Sequence, residues 1–480
     1  MVSMMRWRSA SPSRLAVIGI TGAVSIALVA SLAMTSVQTN PEPAPVAGAG
    51  AAAVAPPPAA DPGAAVLAAG ANDKAIDKNS KDMLKEGREI FRYETFGDEA
   101  WWTDTIRLHE AVEGDKHGGV GGGVSPATAL SVGLKVDVDA IPKDVQKAIG
   151  AGQVDLNDPA VTLALLKLDA VVGVKATLTD DGNSIKAMGI TCALCHSDVD
   201  DSFAPGIGHR LDGWPNRDLN VGLIVSLAPN LEPVADLLKV DVPTVKTVLN
   251  SWGPGRYDAW LDKDGKGFRP DGQQAGTLNP PAFGLAGVNL HTWTGSGSVT
   301  YWNAYVGATE MHGSGTFFDA RLNRRDQYPV AARSGAGNTR GAPDRLTAKL
   351  AALHFYQLAI PAPKPPAGSF EPAASERGRG LFAGKARCAT CHVPPLFTEP
   401  GNNLHAPSEI GVDAFQADRS PTHMYRTAPL GGLWAHEKGG FYHDGRFATL
   451  LDVVNHYDAV FKLNLTAQEK NDLIQYLRSL

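Results

Sequence analysis

The chain of 480 residues contains four cysteines, and all four lie in two copies of one pattern, Cys192-Ala193-Leu194-Cys195-His196 and Cys388-Ala389-Thr390-Cys391-His392. Two thiols at that spacing, with a histidine directly after the second, are what covalent haem attachment requires. The thiols add to the two vinyl groups of one porphyrin. The adjacent imidazole then lies under the ring and gives its nitrogen to the iron. Competing readings explain less. A zinc ribbon keeps its cysteine pairs close in sequence, whereas roughly two hundred residues part these. A redox Cys-x-x-Cys has no use for the histidine, and structural disulfides do not demand a repeated spacing. The pattern predicts two covalently bound haem c groups. Cys192, Cys195 and His196 would hold one, and Cys388, Cys391 and His392 the other.

The N-terminus agrees with that chemistry. Arg6, Arg8 and Arg14 precede an apolar run from Leu15 to Met34, and Ser31-Leu32-Ala33 offers a small-x-small cleavage site. Residues 1–36 read as an export signal, or as a membrane anchor if they stay uncleaved, since the run is long enough to span a bilayer. The body is expected in the periplasm, touching membrane only through 15–34. The net charge of -6 is spread without a basic block, which argues against a nucleic-acid partner.

The elements that must position the pentads follow a repeated order. Residues 37–75 are rich in Pro and Ala and read as a disordered tether. A second Pro-rich stretch, 361–372, reads as a linker between an N-terminal haem domain at 76–360 and a C-terminal cytochrome c-like domain at 373–480. Gly87-Arg88-Glu89-Ile90-Phe91 echoes Gly378-Arg379-Gly380-Leu381-Phe382, and each precedes a pentad. Asn279-Pro280-Pro281-Ala282-Phe283-Gly284-Leu285 then echoes Thr427-Ala428-Pro429-Leu430-Gly431-Gly432-Leu433. The order suggests a duplicated unit whose first copy carries two long insertions, roughly 92–189 and 199–278. Thr466 to Glu469 is a capping box, and Thr449 can cap a helix with the apolar stripe Leu450, Val453, Val454, Tyr457 and Phe461. Strand signals are few, and stretches such as 251–268 read as loops. The fold class is mainly α, with two cytochrome c-like haem domains, the first enlarged by loop-rich insertions.

Tyr425-Arg426-Thr427-Ala428-Pro429-Leu430 and Phe441-Tyr442-His443-Asp444-Gly445-Arg446 carry a resemblance. The chain resembles the bacterial dihaem cytochrome c peroxidases, a family that includes the dihaem enzyme that matures tryptophan tryptophylquinone. The resemblance is close over 375–480, partial over 279–313 and absent across the insertions. It implies that the haem at His196 reacts with peroxide and that the haem at His392 supplies electrons. It implies a bridging role for Trp293, in Trp293-Thr294-Gly295. It implies acid–base work for Glu310, whose Glu310-Met311-His312-Gly313 matches a family Glu-Met-Gly with one residue inserted. It also implies a calcium ion held by Asn279 and by carbonyls of Thr427 and Pro429.

The residues themselves leave several points open. Tyr457 stands where family peroxidases place a methionine ligand and shares the buried helical stripe, so it is the expected sixth ligand of the second iron. His456 is the runner-up, and Met424 reads first as a loop residue. His209, His291 and His312 could face the first iron, yet each reads first as a loop or packing histidine. His443 is expected to brace the second pocket through hydrogen bonds. Trp101, Trp102, Trp214, Trp252 and Trp260 could shape a pocket or merely pack an enlarged domain. The expected function is a periplasmic dihaem oxidoreductase acting on hydrogen peroxide or dioxygen, fed by a small donor protein or a quinol-linked donor. The rivals are an oxygenase or cofactor-oxidising enzyme on the same scaffold, and a dihaem electron carrier that is not an enzyme.

Overall fold

The computed structural model describes residues 62–480, so the expected signal or anchor and most of the tether lie outside the described residues. No helix among the described residues is long and apolar enough to cross a membrane. The tether ends earlier than its composition suggested, because a helix runs Pro62–Tyr93 and takes in 62–75. Proline suits the first helical position, where its missing N–H is not needed. The alanines that follow are the best helix formers.

Residues Val66–Leu480 form one compact unit. Helices dominate, and the described strands are short, joined in five two-stranded pairings. The expected capping box and the expected Thr449 cap are both present, and the second is a full box as well. Thr449 and Asp452 start the helix Leu450–Phe461, and Thr466 and Glu469 start the helix Ala467–Arg478. Each box satisfies two backbone N–H groups that the first helical turn leaves without partners.

The echoed glycines mark two close helix crossings. A Cβ on Gly378, in the helix Pro372–Ala383, would lie 2.0 Å from the carbonyl oxygen of Asp472 in the helix Ala467–Arg478. A Cβ on Gly87 would lie 2.1 Å from the carbonyl oxygen of Ala352 in the helix Leu350–Ala359. In each half, then, an early helix touches a late one backbone to backbone, and only glycine permits it.

Three apolar cores follow the chain. One, with Leu166, Leu219, Val245 and Trp252, is built almost wholly from the two stretches read as insertions, and Leu194 of the first pentad packs into it. A second gathers Phe91, Tyr305 and Leu353, with Ala193 of the same pentad. The third, with Phe382, Leu450, Leu473 and Tyr476, draws only on the C-terminal half and packs against Cys388. The stretch 251–268 is more ordered than its Gly and Pro content suggested. Arg256–Tyr257 pairs with Thr277–Leu278, and Leu261–Asp264 forms one helical turn. Arg419, from the C-terminal half, fixes it: its fully buried guanidinium donates to Asp264 at 2.8 and 3.0 Å and to Asp258 at 3.1 Å.

Candidate functional site

The first pentad occupies a short helical turn, Ala193–His196, between the first two cores. A cavity of about 420 Å³ opens beside Cys192, Cys195 and His196. Burial pushes both thiols up to about 12, and neither is in a disulfide. Burial pushes His196 down to about 4, with the Pro280 carbonyl acting in the opposite sense, and its Nδ1 has no hydrogen-bond partner. Two free thiols and a neutral imidazole beside an apolar cavity suit a porphyrin bound through thioethers and one nitrogen.

The second pentad repeats the chemistry. His392 Nδ1 lies 3.0 Å from the Phe397 carbonyl oxygen, which leaves Nε2 free for a metal. Burial lowers its proton affinity, and the carbonyls of Phe397 and Ala428 work against that shift. Pro280 and Ala428 thus face the histidines of the two pentads, and they hold matching places in the echoed Asn279-Pro280 and Thr427-Ala428 pairs.

Glu310, Trp293, His312, His291 and Asn279 all line the first cavity. Glu310 ends a π-helical turn, Val306–Glu310, and a second such turn, Ala100–Thr105, brings in Trp101 and Trp102. Turns of this kind are rare and concentrate at functional sites. The two are tied together where the Trp102 indole donates to the Met311 carbonyl at 3.1 Å. His312, the inserted residue, takes a left-handed backbone with φ of 62°. Its ring stacks on Trp101 at 3.8 Å between centroids, and burial pushes it down to about 4.

The Glu310 carboxylate is buried but well supplied with donors. Tyr257 donates its hydroxyl, Lys263 its ammonium at 3.0 Å and Thr309 its hydroxyl at 3.1 Å. Lys263 is itself wholly enclosed and also pairs with Asp262. Sequence reading missed Tyr257, Asp262 and Lys263 because nothing in their spacing sets them apart from an exposed charged turn.

Trp293 joins the halves. Its indole donates to the Leu278 carbonyl at 2.8 Å, and its own carbonyl accepts from the Arg426 backbone N–H at 3.1 Å. Leu278 donates its N–H to the His443 carbonyl at 2.7 Å. Arg426 adds a side-chain bond to the Leu290 carbonyl at 3.0 Å. The indole that lines the first cavity is therefore carried on a loop bonded to the C-terminal signature.

No family model matches the chain. A stretch of 226 residues is 27% identical to the methylamine utilization protein MauG of Methylorubrum extorquens, covering 42% of this chain and 63% of that protein. Over that stretch this chain is similar to MauG. The match spans less than two thirds of MauG's length. Among solved structures, a MauG-like protein associated with microbial copper homeostasis aligns with a TM-score of 0.29 and 18% identity, over 44% of this chain and 76% of that one. Hydrazine synthase of Kuenenia stuttgartiensis, pressurised with xenon, aligns with a TM-score of 0.26 and 20% identity, over 44% of this chain and 75% of that one. Both likenesses are slight.

The remaining candidates are spread between the second pentad, the first cavity and the surface. Tyr457 lies close enough to Cys388 and Cys391 that thiolate charge there would raise its proton affinity, which burial raises further. His456 is turned elsewhere, with Nε2 2.8 Å from the Ile410 carbonyl oxygen. Met424 is exposed. His443 stacks on Tyr425 at 5.0 Å, its Nε2 has no hydrogen-bond partner, and its backbone carbonyl accepts from Leu278. His209 sits on the surface, 2.8 Å from Asp139. His291 Nε2 lies 3.0 Å from the Val288 carbonyl oxygen. Of the proposed calcium donors, Asn279 is buried and donates its amide to Asn216 at 3.4 Å, while the Thr427 hydroxyl donates to Glu399 at 2.6 Å. Trp101, Trp102, Trp252 and Trp260 line the cavity, whereas Trp214 packs on Trp434 at 5.1 Å.

Proposed function

We propose that this chain is an exported dihaem c-type oxidoreductase that reduces hydrogen peroxide in the cavity of the first pentad. Electrons would arrive from a small donor protein through the second pentad. The observation that carries the reading is the meeting, in one cavity, of Cys192, Cys195 and His196 with Glu310 and Trp293. A bound haem iron would supply peroxide coordination and the electrons for O–O cleavage. The protein's part is to move protons and to join the sites. Glu310 takes the proton from the near oxygen of peroxide and hands it to the far one, so that water leaves. Trp293, held by Leu278 and Arg426, offers an oxidisable ring between the two sites. A calcium ion at Asn279 and the carbonyls of Thr427 and Pro429 would brace the same junction.

A second reading, an oxygenase or cofactor-oxidising enzyme on this scaffold, is favoured by Tyr457. A phenolate ligand stabilises ferric iron relative to methionine and suits a lower-potential second haem. Electron paramagnetic resonance of the isolated protein tests the proposal. One high-spin and one low-spin ferric signal, both altered by peroxide, are expected. Two low-spin signals that ignore peroxide would instead indicate an electron carrier. Glu310→Gln should slow peroxide turnover by about a hundredfold or more with haem content unchanged.

A further inference from the structure

Lys263 is a completely enclosed cation beside the first cavity, and the proposed reaction leaves it without a role. Its side chain has no exposed surface. The ammonium lies between the carboxylates of Asp262 and Glu310 and 4.9 Å from the face of the Tyr305 ring. Every element packed around it contributes a titratable or charged group. Asp262 and Asp264 come from its own turn, Glu310 and His312 from the segment that ends the π-helical turn, and Tyr257 from the short strand. Arg419 stands behind, held to Asp264 and Asp258. Arg419 is thus committed to its own two carboxylates, and Lys263 is the cation that meets Glu310.

An isolated buried carboxylate takes up a proton rather than stay charged, and an isolated buried lysine loses one. Lys263 keeps its proton, and one of the two acids its charge, only while the ammonium remains between the carboxylates. The two acids outnumber the one cation, so they compete for its charge. Geometry divides the roles. Both acids line the cavity beside the first pentad, but Asp262 borders Lys263 along the chain, whereas Glu310 also receives the Tyr257 and Thr309 hydroxyls.

We propose that Lys263 is a positioning residue that holds Glu310 as a charged carboxylate facing the cavity, with Asp262 as the neighbouring acid that takes up the cluster's spare proton. This rests on the reading of Glu310 as the proton acceptor. When peroxide or another weak acid binds, its O–H or C–H bond breaks and the proton joins a Glu310 oxygen. With Asp262 ionised the cluster passes from one net negative charge to none, and with Asp262 protonated from none to one positive; no electron moves in either case. Burial and the charge of Glu310 push Asp262 up to about 7, in keeping with a reserve acid.

The test uses the holoprotein and avoids turnover. Hydrogen cyanide binding to ferric haem needs a proton acceptor but no electron donor, so its association rate against pH reports the state of Glu310. Lys263→Met should lose about tenfold in that rate at neutral pH and recover it in alkali, since one tenfold step in protonation equals one pH step. The infrared band of a protonated carboxyl should also grow. Lys263→Arg should restore much of the rate. Asp262→Asn, which removes the competing acid, should move the curve toward lower pH and keeps the question answerable if Lys263→Met fails to fold. Wild-type curves from Lys263→Met, or from Asp262→Asn where the first variant is unstable, would overturn the role of Lys263. A wild-type protein that binds neither cyanide nor peroxide would overturn the functional reading instead.

Discussion

Replacing Gly378 with alanine should weaken the C-terminal half, and the same replacement at Gly380, two residues along the same helix, should strengthen it. At Gly378 the new Cβ would lie 2.0 Å from the Asp472 carbonyl oxygen and 2.8 Å from Tyr476 Cβ. Neither atom is the free end of a flexible side chain, so the helices must separate. Overpacking of this kind costs about 1–3 kcal/mol, and alanine returns about 1 kcal/mol through its helix propensity. The net loss is then up to about 2 kcal/mol. At Gly380 nothing lies within 4 Å, so only the propensity gain of about 1 kcal/mol remains. Hydrogen exchange of the amides in Ala467–Arg478, measured in the full chain, reads both changes. About 1.4 kcal/mol corresponds to tenfold in protection. Protection should fall several-fold or more for Gly378→Ala and rise about fivefold for Gly380→Ala. Changes of the same sign in both variants would refute the close-crossing argument.

Other outcomes follow from the same structure. Arg419→Met leaves Asp258 and Asp264 buried without their cation and should cost about 3–5 kcal/mol in denaturant unfolding, partly restored by adding Asp258→Asn. Asp98 is fully buried, and burial pushes its carboxyl up to about 9. The folded state therefore keeps a proton that the unfolded chain releases near pH 4, so stability is lost as pH rises from about 4 to about 9. Asp98→Asn should shrink the fall in thermal midpoint between pH 5 and pH 8, and a fall as large as wild type would contradict this. Tyr457→Phe should change the ferric absorption and resonance signal of one haem, while His456→Phe leaves them in place; the opposite pattern would exchange the two as ligand candidates.

The parts of the fold legible in the sequence were those set by local chemistry. The Thr449 and Thr466 caps, the apolar stripe of Leu450, Val453 and Val454, and the paired pentads each depend on residues a few positions apart, whereas Phe461, counted in that stripe, is exposed. The echoed glycines were visible as a repeat, yet their cause, a helix crossing at backbone contact, needs two segments distant in sequence. The Pro/Ala stretch misled because composition describes the whole while helix initiation depends on where the prolines stop. Glu310 was found through a motif, but its charge environment was not. Tyr257, Asp262 and Lys263 sit in a Gly- and Pro-rich stretch whose order comes from Arg419, more than 150 residues later. His209, which reads first as a loop or packing histidine, is a surface residue paired with Asp139.

The account's central claim is that each pentad carries a porphyrin through two thioether bonds. Intact mass measured under denaturing conditions, on protein exported by a host able to attach haem c, decides it. The expected mass is that of the polypeptide plus two haems, falling by one haem when Cys192 and Cys195 are replaced by alanine. A mass equal to the polypeptide alone would contradict the claim.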